Sequence, residues 1–256
     1  EVVLMGADPD GLNINQECGS TEPRLLQAAV LEHQADLGIA LDGDGDRLIM
    51  VDHTGQIVDG DELLFIIARS RKLRGKGTPA IVGTQMSNLG LEHALAEHDM
   101  VLHRSKVGDR YVIEKLQETG GMVGGESSGH IICLDKTTTG DGIIAALQVL
   151  CEITRTESSL HALRSLVTKY PQTLINVRVK EMIDLATETA IIDAVAAAEQ
   201  TLGDEGRVLL RPSGTEPVIR VMVEGRESKL TKQLAEDIAA VIESTIDNKQ
   251  RVSSVS

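Results

Sequence analysis

Residues 37–52 read Leu-Gly-Ile-Ala-Leu-Asp-Gly-Asp-Gly-Asp-Arg-Leu-Ile-Met-Val-Asp, which places three carboxylates on alternate positions between two short apolar runs. Leu37 to Leu41 reads as a buried strand, and Leu48 to Asp52 as a second one. Asp42, Asp44 and Asp46 therefore follow directly on a buried strand, where like charges at close range repel unless something positive sits among them. An acidic surface turn would account for the glycines but not for the three carboxylates. A hard divalent cation accounts for both, and three protein oxygens with positions left open suit Mg²⁺ completed by waters or a phosphate oxygen. An EF-hand does not fit: counted from Asp42, the sixth position holds Arg47 instead of Gly and the twelfth holds His53 instead of Glu.

The chain has 256 residues, 41% of them hydrophobic, so it can bury a sizeable core. With one Phe, two Tyr and no Trp, it cannot build an aromatic platform for sugars or stacked bases. A net charge of -14, from 39 acidic against 25 basic residues, disfavours nucleic acid or an anionic membrane as the main partner, so an anionic ligand needs a local basic site. Cys18, Cys133 and Cys151 are odd in number and isolated, as expected of free thiols in a cytoplasmic protein, and they do not suggest zinc. No stretch has the roughly 20 apolar residues of a membrane span, and the N-terminus lacks the basic region of a signal peptide. Glu1 leads straight into Val-Val-Leu, which reads as a strand entered in mid-domain and suggests that earlier residues are missing.

Three segments follow from the periodicities. In residues 1–71, a strand at Val2 to Leu4, a helix over Pro23 to Gln34 and the strand at Leu37 to Leu41 give βαβ grammar. Leu48 to Asp52 and Gln56 to Val58 then flank a hairpin turn, and Gly60 to Arg69 is helical. After the breaker-rich linker Lys72 to Pro79, residues 72–170 again mix strands and helices, with Ser87 capping a helix through Glu97. Residues 171–248 read strand, helix, strand, strand, helix. The last helix carries an apolar stripe of Leu230, Leu234, Ile238, Val241, Ile242 and Ile246. Residues 249–256 are expected to be a disordered tail. The fold class is α/β: two mixed α/β domains, the first incomplete, then a small α+β C-terminal domain.

Two further loops carry chemistry. Gly124-Gly-Glu-Ser-Ser-Gly-His130 sets Glu126, Ser128 and His130 on alternate residues; a carboxylate and a hydroxyl so spaced can bind vicinal sugar hydroxyls, and His130 can carry a proton, with a flexible β-turn as the equal alternative. In Leu210-Arg-Pro-Ser-Gly-Thr-Glu-Pro-Val-Ile-Arg220, backbone N–H groups join Arg211, Ser213, Thr215 and Arg220 in an anion nest that favours phosphate. Lys106 and Arg110 in Ser-Lys-Val-Gly-Asp-Arg-Tyr-Val form another basic pair, for which a solvated surface pair is the equal alternative.

A metal loop, a sugar-hydroxyl loop and a phosphate loop in this order resemble the α-D-phosphohexomutase superfamily, most closely its bacterial phosphoglucosamine mutase branch. The motifs that carry the resemblance are DGDGDR, SKVGDRYV, GESSGH, DKTTTGDG and RPSGTEPVIRVMVEG. The resemblance implies four domains around a cleft, of which this chain holds the later part of the second, the third and the fourth. It implies Mg²⁺ on Asp42, Asp44 and Asp46, with Arg47, His130 and Lys106 as catalytic candidates. Glu126, Ser128 and Arg110 would bind the sugar and line the cleft, and Arg211, Ser213, Gly214, Thr215 and Arg220 would hold the phosphate that is not reacting. The phosphoserine loop of the family's first domain has no counterpart between Glu1 and Asp42.

The expectation is therefore an isomerase that interconverts glucosamine 6-phosphate and glucosamine 1-phosphate through a phosphoserine and a bisphosphate. Its expected partners are a hexosamine phosphate, its own missing N-terminal domain and a second copy in a homodimer, and the chain alone is expected to be inactive. Phosphoglucomutase or phosphomannomutase activity, or a non-catalytic phosphosugar-binding module, are the alternatives, because no residue in these loops senses a 2-amino group.

Overall fold

The structure is a computed structural model that describes residues 1–179, 183–213 and 217–253, the last five by backbone alone. Gly214 and Thr215 of the expected phosphate loop, and residues 254–256 of the expected tail, lie outside the described residues. The chain divides into two units, residues 1–168 and 169–256.

Unit 1 begins without regular structure. The strand expected at Val2 to Leu4 is not formed, and Val2 and Leu4 are 81% and 78% exposed. A strand exists only where a neighbour pairs its backbone, and these residues have none. The first helix, α1 (Arg24–Glu32), packs beside an antiparallel sheet of β1 (Leu37–Leu41), β2 (Leu48–Asp52) and β3 (Ile57–Val58), in that spatial order. The βαβ reading of this segment is thus corrected to a meander. β1 turns directly into β2 through residues 42–47, in register from Leu41↔Leu48 to Leu37↔Asp52, and so short a connection permits only antiparallel pairing.

Helix α2 (Gly60–Leu73) opens with a capping box, Asp59 accepting from the Asp61 amide while Glu62 accepts from that of Asp59. The second sheet holds β4 (Ala80–Thr84), β5 (Val101–Ser105), β6 (Val123–Gly125) and β7 (Ile131–Cys133) in the order β5-β4-β6-β7. β4 runs parallel to β5 and β6, joined through α3 (Leu89–Ala96) and α4 (Asp109–Thr119), and β7 returns antiparallel to β6. Asn88, not Ser87, caps α3: its side chain accepts from the Gly90 amide, while the Ser87 hydroxyl turns back to accept from the Thr84 amide at the end of β4. Helices α5 (Gly142–Thr156) and α6 (Leu160–Arg164) complete the unit. Leu48, Met50 and Val58 share one core with Leu63, Phe65 and Ile67 of α2 and with Ile81, Leu91, Val123, Ile131 and Val149. Each such side chain contributes about 2 kcal/mol on burial.

Unit 2 follows its expected order. β8 (Gln172–Arg178), α7 (Thr189–Leu202), β9 (Gly206–Pro212) and β10 (Val218–Gly225) give an antiparallel sheet β8-β10-β9, closed by α8 (Ser228–Ser253). Ile238, Ile242 and Ile246 of α8 bury against Val177, Ile219, Val221 and Val223, as the stripe requires. The helix runs by its backbone to Ser253, beyond the Asn248 after which a disordered tail is expected.

Candidate functional site

The acidic loop is a tight turn built on its glycines. The Gly45 amide donates to the Asp42 carbonyl at 3.1 Å, the Asp42 amide donates to the Arg47 carbonyl, and Gly45 takes φ +73°, which a glycine adopts without strain. Asp42 points inward, its side chain only 1% exposed, and accepts from the Arg47 amide at 3.0 Å and from Arg47 Nε at 2.6 Å. Burial works against ionisation of Asp42, but these two hydrogen bonds outweigh it and hold the carboxyl below its ordinary range. Asp46 moves the other way, raised by burial and by the neighbouring Asp42 carboxylate. The hydrogen bond to Asp42 raises Arg47 in turn, so its charge is secure.

One carboxylate oxygen from each of Asp42, Asp44 and Asp46 lies within 4.8 Å of the others, a spacing one cation can bridge. Asp46 Oδ2 meets His130 Nδ1 at 2.9 Å, while its Oδ1 is buried without a hydrogen-bond partner among the described residues, Arg47 Nε being 3.7 Å away. A buried carboxylate oxygen left unpaired beside two other carboxylates is what a hard cation would satisfy, so these residues fit Mg²⁺.

The GESSGH loop turns between β6 and β7, where the Gly129 amide donates to the Glu126 carbonyl and the Glu126 amide to the His130 carbonyl. It stands beside the metal loop because Arg47 and His130 pair as an antiparallel bridge and the Leu48 amide donates to the Gly129 carbonyl at 3.0 Å. Glu126 Oε1 accepts from the Gly108 amide at 2.7 Å, at the start of α4, and its Oε2 lies 3.4 Å from the Ser128 hydroxyl. One carboxylate thus joins the sugar-type loop to SKVGDRYV. There Lys106 is exposed, its ammonium 5.6 Å from the centre of the Tyr111 ring, and Arg110 pairs with Glu114 one turn along α4. Arg110 Nε is engaged along its own helix, and Lys106 has the freer head group.

In unit 2, Arg211 of β9 stands directly opposite Arg220 of β10, whose other neighbour is Asn176 of β8. The Ser213 amide donates to the Val218 carbonyl at 2.8 Å and closes the strands below the loop. Among the described residues, the buried Arg220 Nε has no hydrogen-bond partner. Two arginines side by side repel, and an anion between them would relieve that repulsion.

Unit 1 therefore brings together Asp42, Asp44, Asp46, Arg47, Glu126, Ser128 and His130, and unit 2 brings together Arg211, Ser213 and Arg220. The residues that sequence reasoning left without a role are glycines. A Cβ on Gly129 would overlap the Leu48 carbonyl, and one on Gly140 would overlap the His130 ring. The signal for Gly140 was the DKTTTGDG motif, whose spacing showed order but no chemistry.

Comparison with known proteins gives a consistent result. Residues 59–170 match the profile of phosphoglucomutase/phosphomannomutase alpha/beta/alpha domain III, and residues 174–241 match that of the phosphoglucomutase/phosphomannomutase C-terminal domain. The phosphoglucosamine mutase of Nitrosococcus oceani is 60% identical over 98% of this chain and 55% of its own length. That of Methylococcus capsulatus is 56% identical over 94% of this chain and 54% of its own. The chain thus spans about half the length of the curated relatives it matches. Among solved structures, Aspergillus fumigatus N-acetylphosphoglucosamine mutase in complex with GlcNAc-6P and magnesium superposes with a TM-score of 0.73 at 20% identity, over 92% of this chain and 58% of that one. Two consecutive family domains, relatives at this identity and a shared fold agree: the chain belongs to the phosphoglucomutase/phosphomannomutase family of phosphohexomutases.

Proposed function

We propose that this chain is the metal-, sugar- and phosphate-binding part of a phosphoglucosamine mutase, which interconverts glucosamine 6-phosphate and glucosamine 1-phosphate through a phosphoserine enzyme and a bisphosphate. The observation that carries the reading is the joining of DGDGDR, GESSGH and SKVGDRYV by the Asp46–His130 and Glu126–Gly108 hydrogen bonds within one unit. The relatives at 60% and 56% identity favour glucosamine over other hexoses.

In this reading Asp42, Asp44 and Asp46 hold Mg²⁺, which supplies positive charge to phosphoryl oxygens. Arg47, anchored through Nε on Asp42, keeps its terminal N–H groups for the same oxygens. Glu126 and Ser128 bind sugar hydroxyls, and Arg110 lines the same cleft. His130 and Lys106 are the two proton-transfer candidates. Arg211, Ser213, Gly214, Thr215 and Arg220 hold the phosphate that is not reacting. The phosphoserine comes from another domain of the longer protein, so this chain alone is inactive. The division into a metal part to Arg71, a sugar part to Tyr170 and a phosphate part to Asn248 belongs to the same reading, as do a homodimer and a cytoplasmic location. Free Cys18, Cys133 and Cys151 support that location, and no helix among the described residues is long and apolar enough to cross a membrane.

The test is steady-state turnover by the longer protein on glucosamine, glucose and mannose 6-phosphates, with the 256-residue chain run in parallel. The reading expects the highest kcat/KM on glucosamine 6-phosphate and no turnover by the chain alone. A preference for glucose or mannose phosphate, or robust turnover by the chain, overturns it.

A further inference from the structure

The loop Thr137-Thr-Thr-Gly-Asp-Gly142 touches both parts of the site in unit 1, and none of its residues has a role in the reading above. Gly140 lies against the imidazole of His130: a Cβ there would overlap Nε2, Cδ2 and Cε1 of the ring at distances real Cβ atoms do not reach. Gly140 also forms an antiparallel bridge with Ile132, so its backbone is tied to β7 and cannot easily withdraw. Two residues on, the Gly142 amide donates to the Gly45 carbonyl of the acidic turn at 2.9 Å, and a Cβ on Gly142 would press on Leu41 and on the Arg47 and Gly45 carbonyls. Between them, Asp141 accepts from the Ile144 amide and caps α5, which anchors the loop to a fifteen-residue helix. His130 is thus held on two sides, Nδ1 on Asp46 and the opposite edge of its ring on Gly140.

We propose that the Thr137–Gly142 loop is a positioning clamp: Gly140 fixes the His130 imidazole against Asp46, and Gly142 fixes the turn that carries Asp42, Asp44 and Asp46. The absence of a side chain at Gly140 is what lets the ring sit in hydrogen-bond reach of Asp46 Oδ2, which leaves Oδ1 without a hydrogen-bond partner among the described residues. The clamp acts through the orientation of other groups, so Gly140 is a positioning residue. The inference rests on the proposed metal site for one of its readouts only.

The test is a double-mutant cycle of Gly140→Ala and His130→Ala in the full 256-residue chain. It is followed by Mg²⁺ calorimetry, by the imidazole ¹⁵N signals of His130 and by urea unfolding. Gly140→Ala is expected to shift the His130 Nδ1 signal away from its hydrogen-bonded position, to weaken Mg²⁺ binding at least fivefold and to lower stability. In the His130→Ala background the same methyl has room, so Gly140→Ala should change neither Mg²⁺ affinity nor the unfolding midpoint further. An unchanged His130 signal in Gly140→Ala, or equal losses of stability in both backgrounds, overturns the clamp. Should Gly140→Ala fail to fold alone, folding of the double variant supports the clamp and its failure to fold overturns it. If the native chain binds no Mg²⁺, the metal reading falls, while the ¹⁵N signal and the stability cycle still decide on the clamp.

Discussion

The two units hold their charged groups in opposite ways. In unit 1 the site's polar groups are tied to one another: Asp42 to Arg47, Asp46 to His130, and one oxygen of Glu126 to the Gly108 amide. In unit 2 two arginines are brought side by side by strand register, and Arg220 Nε has no hydrogen-bond partner among the described residues. The first arrangement fixes geometry before a ligand arrives, and removing one member leaves its partner exposed to a desolvation cost. The second is held in place by the backbone and by the α8 core, and under the proposed function its side chains answer to the phosphate. Stability and binding should therefore separate between the units.

Asp42→Ala is the strongest way to break this contrast. It strips a buried carboxylate from the Arg47 guanidinium and amide, and is expected to destabilise unit 1 by about 3 kcal/mol, read by hydrogen exchange of β1 and β2. A loss below about 1 kcal/mol would mean that the turn does not depend on its internal pair.

Acid gives the next effect. Asp42, Asp52, Asp135 and Glu152, all in unit 1, are held below the ordinary carboxylate range. In each, burial opposes ionisation and hydrogen bonds outweigh it: from Arg47 to Asp42, from Thr54, His161 and Gln56 to Asp52, from Arg71 to Asp135, and from Arg155 and Ser70 to Glu152. A depressed folded-state value adds stability above the unfolded value of about 4 and loses it as pH falls through the folded value. Unit 1 should therefore lose protection progressively below about pH 4, by about 1.4 kcal/mol for each unit of depression. Asp52→Asn should flatten that slope, and an unchanged slope would remove Asp52 from the account.

Arg211→Ala should do the reverse of Asp42→Ala. Phosphosugar affinity is expected to fall by more than about 1.5 kcal/mol, roughly tenfold, while stability holds or rises as the arginine pair is relieved. Unchanged affinity for a hexosamine phosphate by calorimetry would sink the phosphate assignment. The smallest effect is that of Asp44→Asn, which should weaken Mg²⁺ binding yet leave metal-free stability level or up to about 0.5 kcal/mol higher, because Asp44 is exposed and repels Asp42 and Asp46. A sharp loss of metal-free stability would make the trio structural.

What could be read from the residues follows the same division. Apolar periodicity was legible in part: the period-four stripe of α8 emerges as written, whereas β1 forms where its apolar run lies but is half-buried instead of buried, with Ile39 exposed. Pairing partners were not. Val2 to Leu4 has strand composition but no ladder to join, and β1 pairs with β2, its neighbour in the chain, instead of through a crossover. Local propensity cannot see either fact, since strand identity depends on who lies alongside. Asp42, Asp44 and Asp46 were readable because charge crowding is a one-dimensional signal. The dependence of His130 on Gly140 was hidden, because a missing side chain matters only once the fold has placed a ring where it would have been.

The shared core of unit 1 bears on how the protein can be cut for study. A clone that starts at Asp59, where the family's domain III profile begins, would discard Leu48, Met50 and Val58 while keeping Leu63, Phe65 and Ile67 that pack against them. It would also lose the strand whose Leu48 amide caps the Gly129 carbonyl. Such a product would carry a raw hydrophobic face and associate with itself, whereas one that begins ahead of α1 would keep that face covered.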